Sequence, residues 1–503
     1  MSGTALAPGT GWILLAIFSV LWIGLGIWWG RKARTLEGFM VAGRDVGLAL
    51  GTATAVATWI TSNTVMLAPQ FALQLGVWGM LGYSSAAIGL VLFAPLARRI
   101  RAVMPEGFTS VEFVRRRYGR AAAGVFLLIS LFYGLTWMVS MGIAAGLLLE
   151  SLAGIPYLWG MTVILTVCVV YTLLGGLFAV IGTDFIQSLI ILVGLVLVAV
   201  AVLVKVPVAE VDRTIVEQRP VLVQVMVPAA IMAFFNNLLF GLGEIFHGNV
   251  WWSRAFAMRE GVGFKAYAFA GLLWLPIPIV AGFVGLAGPA LGIAIPRPDV
   301  AGPVVAAEVL GAAGGVVVFI VVFCSLASSI DSLLAATGDV VTTEIVHPLL
   351  GGGERERTLR RAASGVVVVV GLLTWTACLP WEGVLAWLGG EDFTAAVIAD
   401  GRPVGTLATV LFFAGPLVGS AIWPILTGLH TRRMSGGGAV LAMVAGSAVG
   451  LWAYFALGWY TASLIGTGVS FLVTVAALGL ARWRGTPGFD WARLKSGELP
   501  EGA

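Results

Sequence analysis

Charge is scarce in this chain. Only 11% of its 503 residues are Asp, Glu, Lys or Arg, against 59% apolar, and one water-soluble core cannot hide that much apolar surface. The proportion places the chain in lipid. Cysteine is nearly absent too: Cys168, Cys324 and Cys378 each lie inside an apolar stretch, which excludes a disulfide framework and a thiolate metal site. The common enzyme motifs are missing. There is no P-loop, HExxH pair, CxxC or Gly-x-Ser-x-Gly elbow, and Gly351-Gly352-Gly353 lacks the strand and lysine of a phosphate cradle. No connection between apolar runs has room for a soluble catalytic domain. An enzyme and an ATP-driven pump are both disfavoured, so uphill work would draw on an ion gradient; a passive channel is the alternative. The net charge of +4 is spread over short loops without interleaved aromatics, which argues against nucleic acid. Nothing points to an obligate protein partner.

What the chain does have is spans. About 20 mostly apolar residues cross about 30 Å of hydrocarbon, and that rule places thirteen: 11–30, 47–74, 77–97, 121–149, 157–180, 183–204, 223–246, 266–292, 303–336, 362–379, 405–427, 438–458 and 461–481. The first lacks a basic leader and is followed by Arg31, Lys32 and Arg34, so it reads as an uncleaved helix, not a signal peptide. With the N-terminus outside, 24 of the 29 Lys and Arg residues fall on the cytoplasmic side, as an odd number of spans requires. The expectation is one transmembrane domain over 1–481 in the cell membrane, with a short cytoplasmic tail over 482–503. Sixty-seven glycines suit close helix contacts.

Two spans read as interrupted. The second holds the polar centre Ala57-Thr58-Trp59-Ile60-Thr61-Ser62-Asn63-Thr64, and the seventh holds Asn236, Asn237, Gly241, Gly243 and Glu244. They lie five spans apart, so helices 2–6 (47–204) and 7–11 (223–427) could form an inverted repeat, flanked by 11–30 and 438–481. Paired broken helices are the best sequence pointer to a transporter's midplane site. Ionisable groups at membrane depth are functional candidates by default. Asp184 shares a helical face with Gln187 and Ser188, offering hard oxygens to a cation or proton, unless it merely caps the sixth span. In the ninth span Ser325, Ser329 and Ser332 form one hydroxyl stripe beside Ser328 and Asp331. Glu244 and His247 sit near the inner end of the seventh span, a position that favours the cytoplasmic interface over the solute path. His347 and His430 fall in inner loops.

These stretches resemble the sodium:solute symporter family. The resemblance rests on Arg34 to Arg44, on Gly175-Gly176 with Thr183-Asp184-Phe185-Ile186-Gln187, on Ser328-Ser329-Ile330-Asp331-Ser332, and on Trp251-Trp252-Ser253-Arg254-Ala255, where Ser253 departs from the family's Gln. It implies an all-α, LeuT-type five-plus-five inverted repeat and symport of a small polar solute with Na+, H+ being the other possible coupling ion. The implied sodium ligands are main-chain oxygens of Ala57 and Ile60, the main chain near Ser325, and the hydroxyls of Ser328 and Ser329. A second cation or proton position would fall at Asp184 and Ser332, with Asp331 nearby. The pieces Gly243 to Arg254 and Gly415 to Pro424 look most like the urea-transporting branch, with proline or another amino acid as the other solute class. By position, Trp59, Thr61, Asn63, Asn236, Asn237, Phe240 and Glu244 are the candidates to line the pocket.

Overall fold

A computed structural model describes residues 6–31, 35–224, 226–350, 356–379 and 411–496. Arg34 of the inner-loop motif, Gly351 to Gly353, Arg402, the start of the eleventh span at 405–410 and the end of the tail lie outside those residues. Among the described residues the structure is helical apart from one isolated bridge. Lipid dictates this, because a helix satisfies its own backbone polar groups where no water can.

In chain order the principal helices are α1 (Pro8–Gly30), α2 (Leu48–Trp59), α3 (Ser62–Leu75), α4 (Val77–Val103), α5 (Arg120–Ala153), α6 (Tyr157–Lys205), α7 (Pro228–His247), α8 (Asn249–Ala257), α9 (Val262–Ala290), α10 (Gly314–Val341), α11 (Glu356–Ala377), α12 (Leu411–His430), α13 (Gly436–Ala456) and α14 (Trp459–Trp483). Among the described residues eleven helices are long and apolar enough to cross a bilayer. The broken α2–α3 unit supplies one more crossing and the second limb of α6 another, which gives the thirteen expected. Burial sorts them. The most apolar window of α10 is 83% buried, whereas those of α1, α13 and α14 are 22%, 33% and 28% buried, so α10 is central and the flanking helices face lipid.

The 49 residues of α6 would reach about 74 Å if straight. They reverse at Gly176, where φ is 53° and ψ is −149°, a conformation essentially reserved for glycine. Tyr171 and Asp184, one on each limb, both bond to the Ala327–Ser328 stretch of α10. The sequence reading put this boundary at 180–183 and made Asp184 a possible cap. In the structure the turn comes earlier, and Asp184 lies about 12 Å along its limb.

The second span breaks as expected. Ile60 leaves the helix (φ −82°, ψ 74°), and Thr61 caps α3 by accepting the Thr64 N–H. The seventh span does not break where its polar residues suggested. α7 runs unbroken through Asn236 to Glu244 and stops only at Gly248. Its glycines serve packing: a Cβ on Gly243 would lie 2.6 Å from the Val418 carbonyl carbon, so α12 approaches backbone to backbone.

At the basic end the chain before α2 is strapped to the chain after α8. The Val46 N–H donates to Ala257 O and the Arg259 N–H to Val46 O, each at 3.0 Å. Arg259 pairs with Asp45 at 2.6 Å, and this exposed guanidinium holds the Asp45 carboxyl below its ordinary pKa.

The Gly176 turn generates a test. A Cβ there would meet Phe39 O at 2.4 Å, whereas one on Gly124 in α5 would meet nothing within 4 Å. Gly176→Ala is expected to cost at least about 1–3 kcal/mol and to lower the thermal midpoint in detergent by several degrees. Gly124→Ala should hold or raise it. Equal midpoints for the two variants would contradict the strained-turn assignment.

Candidate functional site

A helix that stops inside the membrane leaves its last carbonyls without partners. At the end of α2 these belong to Ala57, Thr58, Trp59 and Ile60. Two are taken: Trp59 O accepts from Trp274 Nε1 at 2.7 Å and Thr64 Oγ1 at 3.0 Å, and Thr58 O accepts from Ser329 Oγ at 3.3 Å. Among the described residues nothing donates to the Ala57 or Ile60 carbonyls. The serine stripe of α10 faces this break. Ser329 Oγ also donates to Ser325 O at 2.9 Å, while Ser328 Oγ turns to Asp184 Oδ1 at 2.7 Å and Ser325 Oγ returns to Val321 O of its own helix. The structure thus joins the α2 break to α10 through Ser329, which reaches both Thr58 O and Ser325 O, while Ser328 is engaged with Asp184.

Below it lies a second polar cluster, and here sequence reasoning missed the principal member. Asp184 and Ser332 are together as expected, but the cation between them is Arg254, fully buried on α8. Its guanidinium donates to Asp184 Oδ2 at 3.1 Å, to Ser332 Oγ at 2.7 Å and to Thr54 Oγ1 at 2.9 Å. Thr54 Oγ1 donates to Asp184 at 2.6 Å, and Thr58 Oγ1 lies 3.2 Å from Ser332 Oγ. Arg254 thus sets the protein's own positive charge against Asp184 and Ser332, the pair for which the family resemblance implied a second cation or proton. By position Arg254 reads as one of the cytoplasmic basic residues; the bulky Trp251 and Trp252 beside it are the available sign of burial. Asp331 faces away toward the first limb of α6, where Tyr171 O–H donates to its Oδ2 at 2.6 Å and its Oδ1 has no protein partner.

The expected pocket residues converge, with one exception. Trp59, Thr61, Asn63, Asn237, Phe240 and Glu244 line one cavity of about 20 Å3, room for about one water. The space between these side chains is therefore tight. Asn236 points elsewhere: its Oδ1 accepts the Ser463 and Leu464 N–H groups of α14 at 2.8 and 3.2 Å, because one helical position rotates a side chain by about 100°. Tyr83, Trp137, Trp274 and Phe412 complete the walls and were not foreseen, since a lone aromatic in an apolar span carries no pattern. Glu244 and His247 are buried, 4% and 1% exposed, and not at the interface that their position favoured. Glu244 Oε1 accepts from Trp59 Nε1 at 3.0 Å. Asn237 keeps both amide atoms unpaired and Asn63 keeps its Nδ2 unpaired. A second cavity of about 30 Å3, lined by Tyr133, Trp137, His247, Asn249 and Thr337, continues toward the basic end. The larger cavity of about 560 Å3 around Gln74, Gln218 and Arg219 shares no residue with either.

Such a molecule can hold a bare cation on carbonyl and hydroxyl oxygens beside a small solute on carboxylate, amides and indoles. Comparisons agree. The family model of the sodium:solute symporter family matches residues 39–446, and the chain belongs to that family. It is a multi-pass membrane protein of a transporter family. It is similar to the urea-proton symporter DUR3 of Oryza sativa subsp. japonica (26% identity, covering 89% of this chain and 64% of the relative). It also resembles the urea active transporter of Saccharomyces cerevisiae (23%; 84% and 59%) and the osmoregulated proline transporter OpuE of Bacillus subtilis (26%; 87% of each). The chain thus spans less than two thirds of the length of the first two relatives. Its fold is that of a Na+-coupled sialic acid symporter in a substrate-bound outward-open state (TM-score 0.73, 17% identity, 93% of this chain and 97% of the other). The nucleobase-cation-symport-1 family transporter MHP1, closed on bromovinylhydantoin, is more distant (TM-score 0.55, 15%, 92% and 98%). The architecture is the LeuT-type inverted repeat.

The Arg254–Asp184 pair can be tested by a double-mutant cycle. Removing one partner of a buried pair costs about 3–5 kcal/mol because the other charge is left uncompensated. Arg254→Met should sharply lower the stability of the purified protein, and Arg254→Met with Asp184→Asn should recover at least about 1.5 kcal/mol of that loss. Strict additivity in denaturant titrations would show that the two charges do not act together.

Proposed function

We propose that this member of the sodium:solute symporter family couples the inward movement of Na+ to that of a small polar organic solute by alternating access. A urea-like solute stands ahead of proline or another amino acid. One observation carries the reading: the α2 break frees the carbonyls of Ala57 and Ile60 on either side of Thr58 and Trp59, and the Ser329 hydroxyl of α10 reaches the same break by donating to Thr58 O. Sodium accepts several oxygen ligands, and main-chain carbonyls with serine hydroxyls offer them without a fixed charge. An ion there ties the first broken helix to α10. It would then favour one arrangement of the two repeats and raise solute affinity, and the solute must raise sodium affinity by the same factor.

The solute binds next to the ion, in the cavity of Trp59, Asn63, Asn237 and Glu244. Glu244 argues against a free amino acid, whose carboxylate would face a second carboxylate. The acceptors of Glu244 and Asn237, with the donors of Asn237 and Asn63, suit a compact molecule rich in N–H groups. The protein sits in the cell membrane with its N-terminus outside, as the distribution of basic residues supports. Proton coupling is the second reading. The rice relative is named a urea-proton symporter, and Glu244 and Asp331 are buried carboxylates with no arginine or lysine partner among the described residues.

Uptake into proteoliposomes decides between them. With an inward sodium gradient, labelled solute should accumulate, and Ser329→Ala should raise the sodium concentration for half-maximal uptake at least tenfold, about 1.4 kcal/mol. Accumulation driven by a pH gradient and indifferent to sodium would refute the sodium assignment and leave the proton reading; uptake that never exceeds equilibrium would make the protein a passive channel.

A further inference from the structure

We infer that the solute is a small organic monocation, its charge set against Glu244 and its carbon skeleton against the indoles of Trp59, Trp137 and Trp274. This rests on the reading that the solute binds in the central cavity, and adds the charge to it.

The first observation is an imbalance of charge. The buried carboxylates of Asp184, Glu112, Asp299 and Glu344 each have an arginine within 4 Å. Glu244, equally buried, has no such partner among the described residues; its Oε1 accepts from the Trp59 indole N–H. Asp331 and Asp339 also lack one, but neither lines a described cavity. A carboxylate held in low dielectric and open to a cavity is worth far more to a cation than to a neutral molecule. It repels a second carboxylate.

The second observation is independent of charge. Trp59 and Trp274 stack with centroids 4.6 Å apart and planes 21° apart, Tyr83 lies 5.9 Å from Trp274, and Trp137 closes another wall. Aromatic faces carry negative quadrupoles that attract guanidinium and alkylammonium groups, tryptophan most strongly. Aromatic walls of this kind stand beside a single carboxylate in the lining of the cavity. The unpaired amide atoms of Asn237 and Asn63 are left for the solute's neutral polar groups. Guanidinium, the charged analogue of urea, brings the charge and N–H donors, and choline brings the charge and one hydroxyl, whereas urea and proline carry no net positive charge.

The experiment compares sodium-driven uptake of labelled guanidinium, choline, urea and proline into proteoliposomes at fixed pH and clamped potential. Equilibrium binding of the same four probes to purified protein runs in parallel. The expected result is that one or both cations accumulate and displace the others at concentrations at least tenfold lower. Glu244→Gln should lose at least tenfold in cation affinity and little for urea, while Glu244→Asp keeps the order of preference. Retained sodium-dependent quenching of tryptophan fluorescence in Glu244→Gln shows that the variant is folded and that the ion site is separate. If urea or proline accumulates and a hundredfold excess of either cation does not compete, the inference falls and symport stands. It also falls if Glu244→Gln abolishes sodium binding instead of altering solute preference. If no probe shows sodium-dependent uptake, coupled symport fails, and the binding measurements still decide the question of charge.

Discussion

A helix interrupted in the middle of a membrane is the constraint from which the rest of this structure follows. Each backbone group left bare in hydrocarbon costs several kcal/mol, so the break at Ile60–Thr61 has to be surrounded by donors. Trp274 from α9, Thr64 from α3 and Ser329 from α10 supply them to the Trp59 and Thr58 carbonyls. Each donor pulls its helix against the break. The cavity and the ion junction are therefore two sides of one discontinuity: the Trp274 indole that caps Trp59 is also a wall of the cavity, and Ser329 that reaches Thr58 belongs to the junction.

The polar cluster beneath extends the same logic with charge. Asp184 from the second limb of α6, Arg254 from α8, Thr54 from α2 and Ser332 from α10 bond mutually with almost no access to water. Four elements distant in sequence meet at one ion pair, which is favourable only while every partner is in place. The early turn at Gly176 matters for this reason. Without it Asp184 would lie at the membrane surface, where neither Arg254 nor Ser328 could use it.

Sequence alone disclosed the spans, the break in the second helix, the serine stripe and most of the cavity residues. Apolar runs must match bilayer thickness, and polar residues at membrane depth have few permissible roles, so these features are legible in one dimension. Three were not. The limb boundary of α6 hides inside a continuous apolar run, where only glycine's backbone freedom marks it. Gly243 in α7 looks like a breaker until the neighbouring helix is in view. Arg254 looks like a topogenic loop cation, because its counterion Asp184 is 70 positions away in the chain. Asn236 and Asn237 show the limit at its finest: adjacent amides, one bracing α14 and the other lining the cavity, differ only in helical phase.

The strap of Val46 between Ala257 and Arg259 has a further consequence, in time as opposed to structure. Parting α2 from α8 at the basic end requires breaking two backbone hydrogen bonds and the exposed Arg259–Asp45 pair. All of these can be exchanged for water as they break, and the ion pair is screened over about 8 Å at physiological ionic strength. The closure is therefore a latch with a low barrier, suited to the microsecond-to-millisecond range of hinge motions. The dry Arg254–Asp184 contact deeper in has no such exchange available. An opening that left that contact intact could be frequent and fast, whereas one that broke it would set the turnover rate.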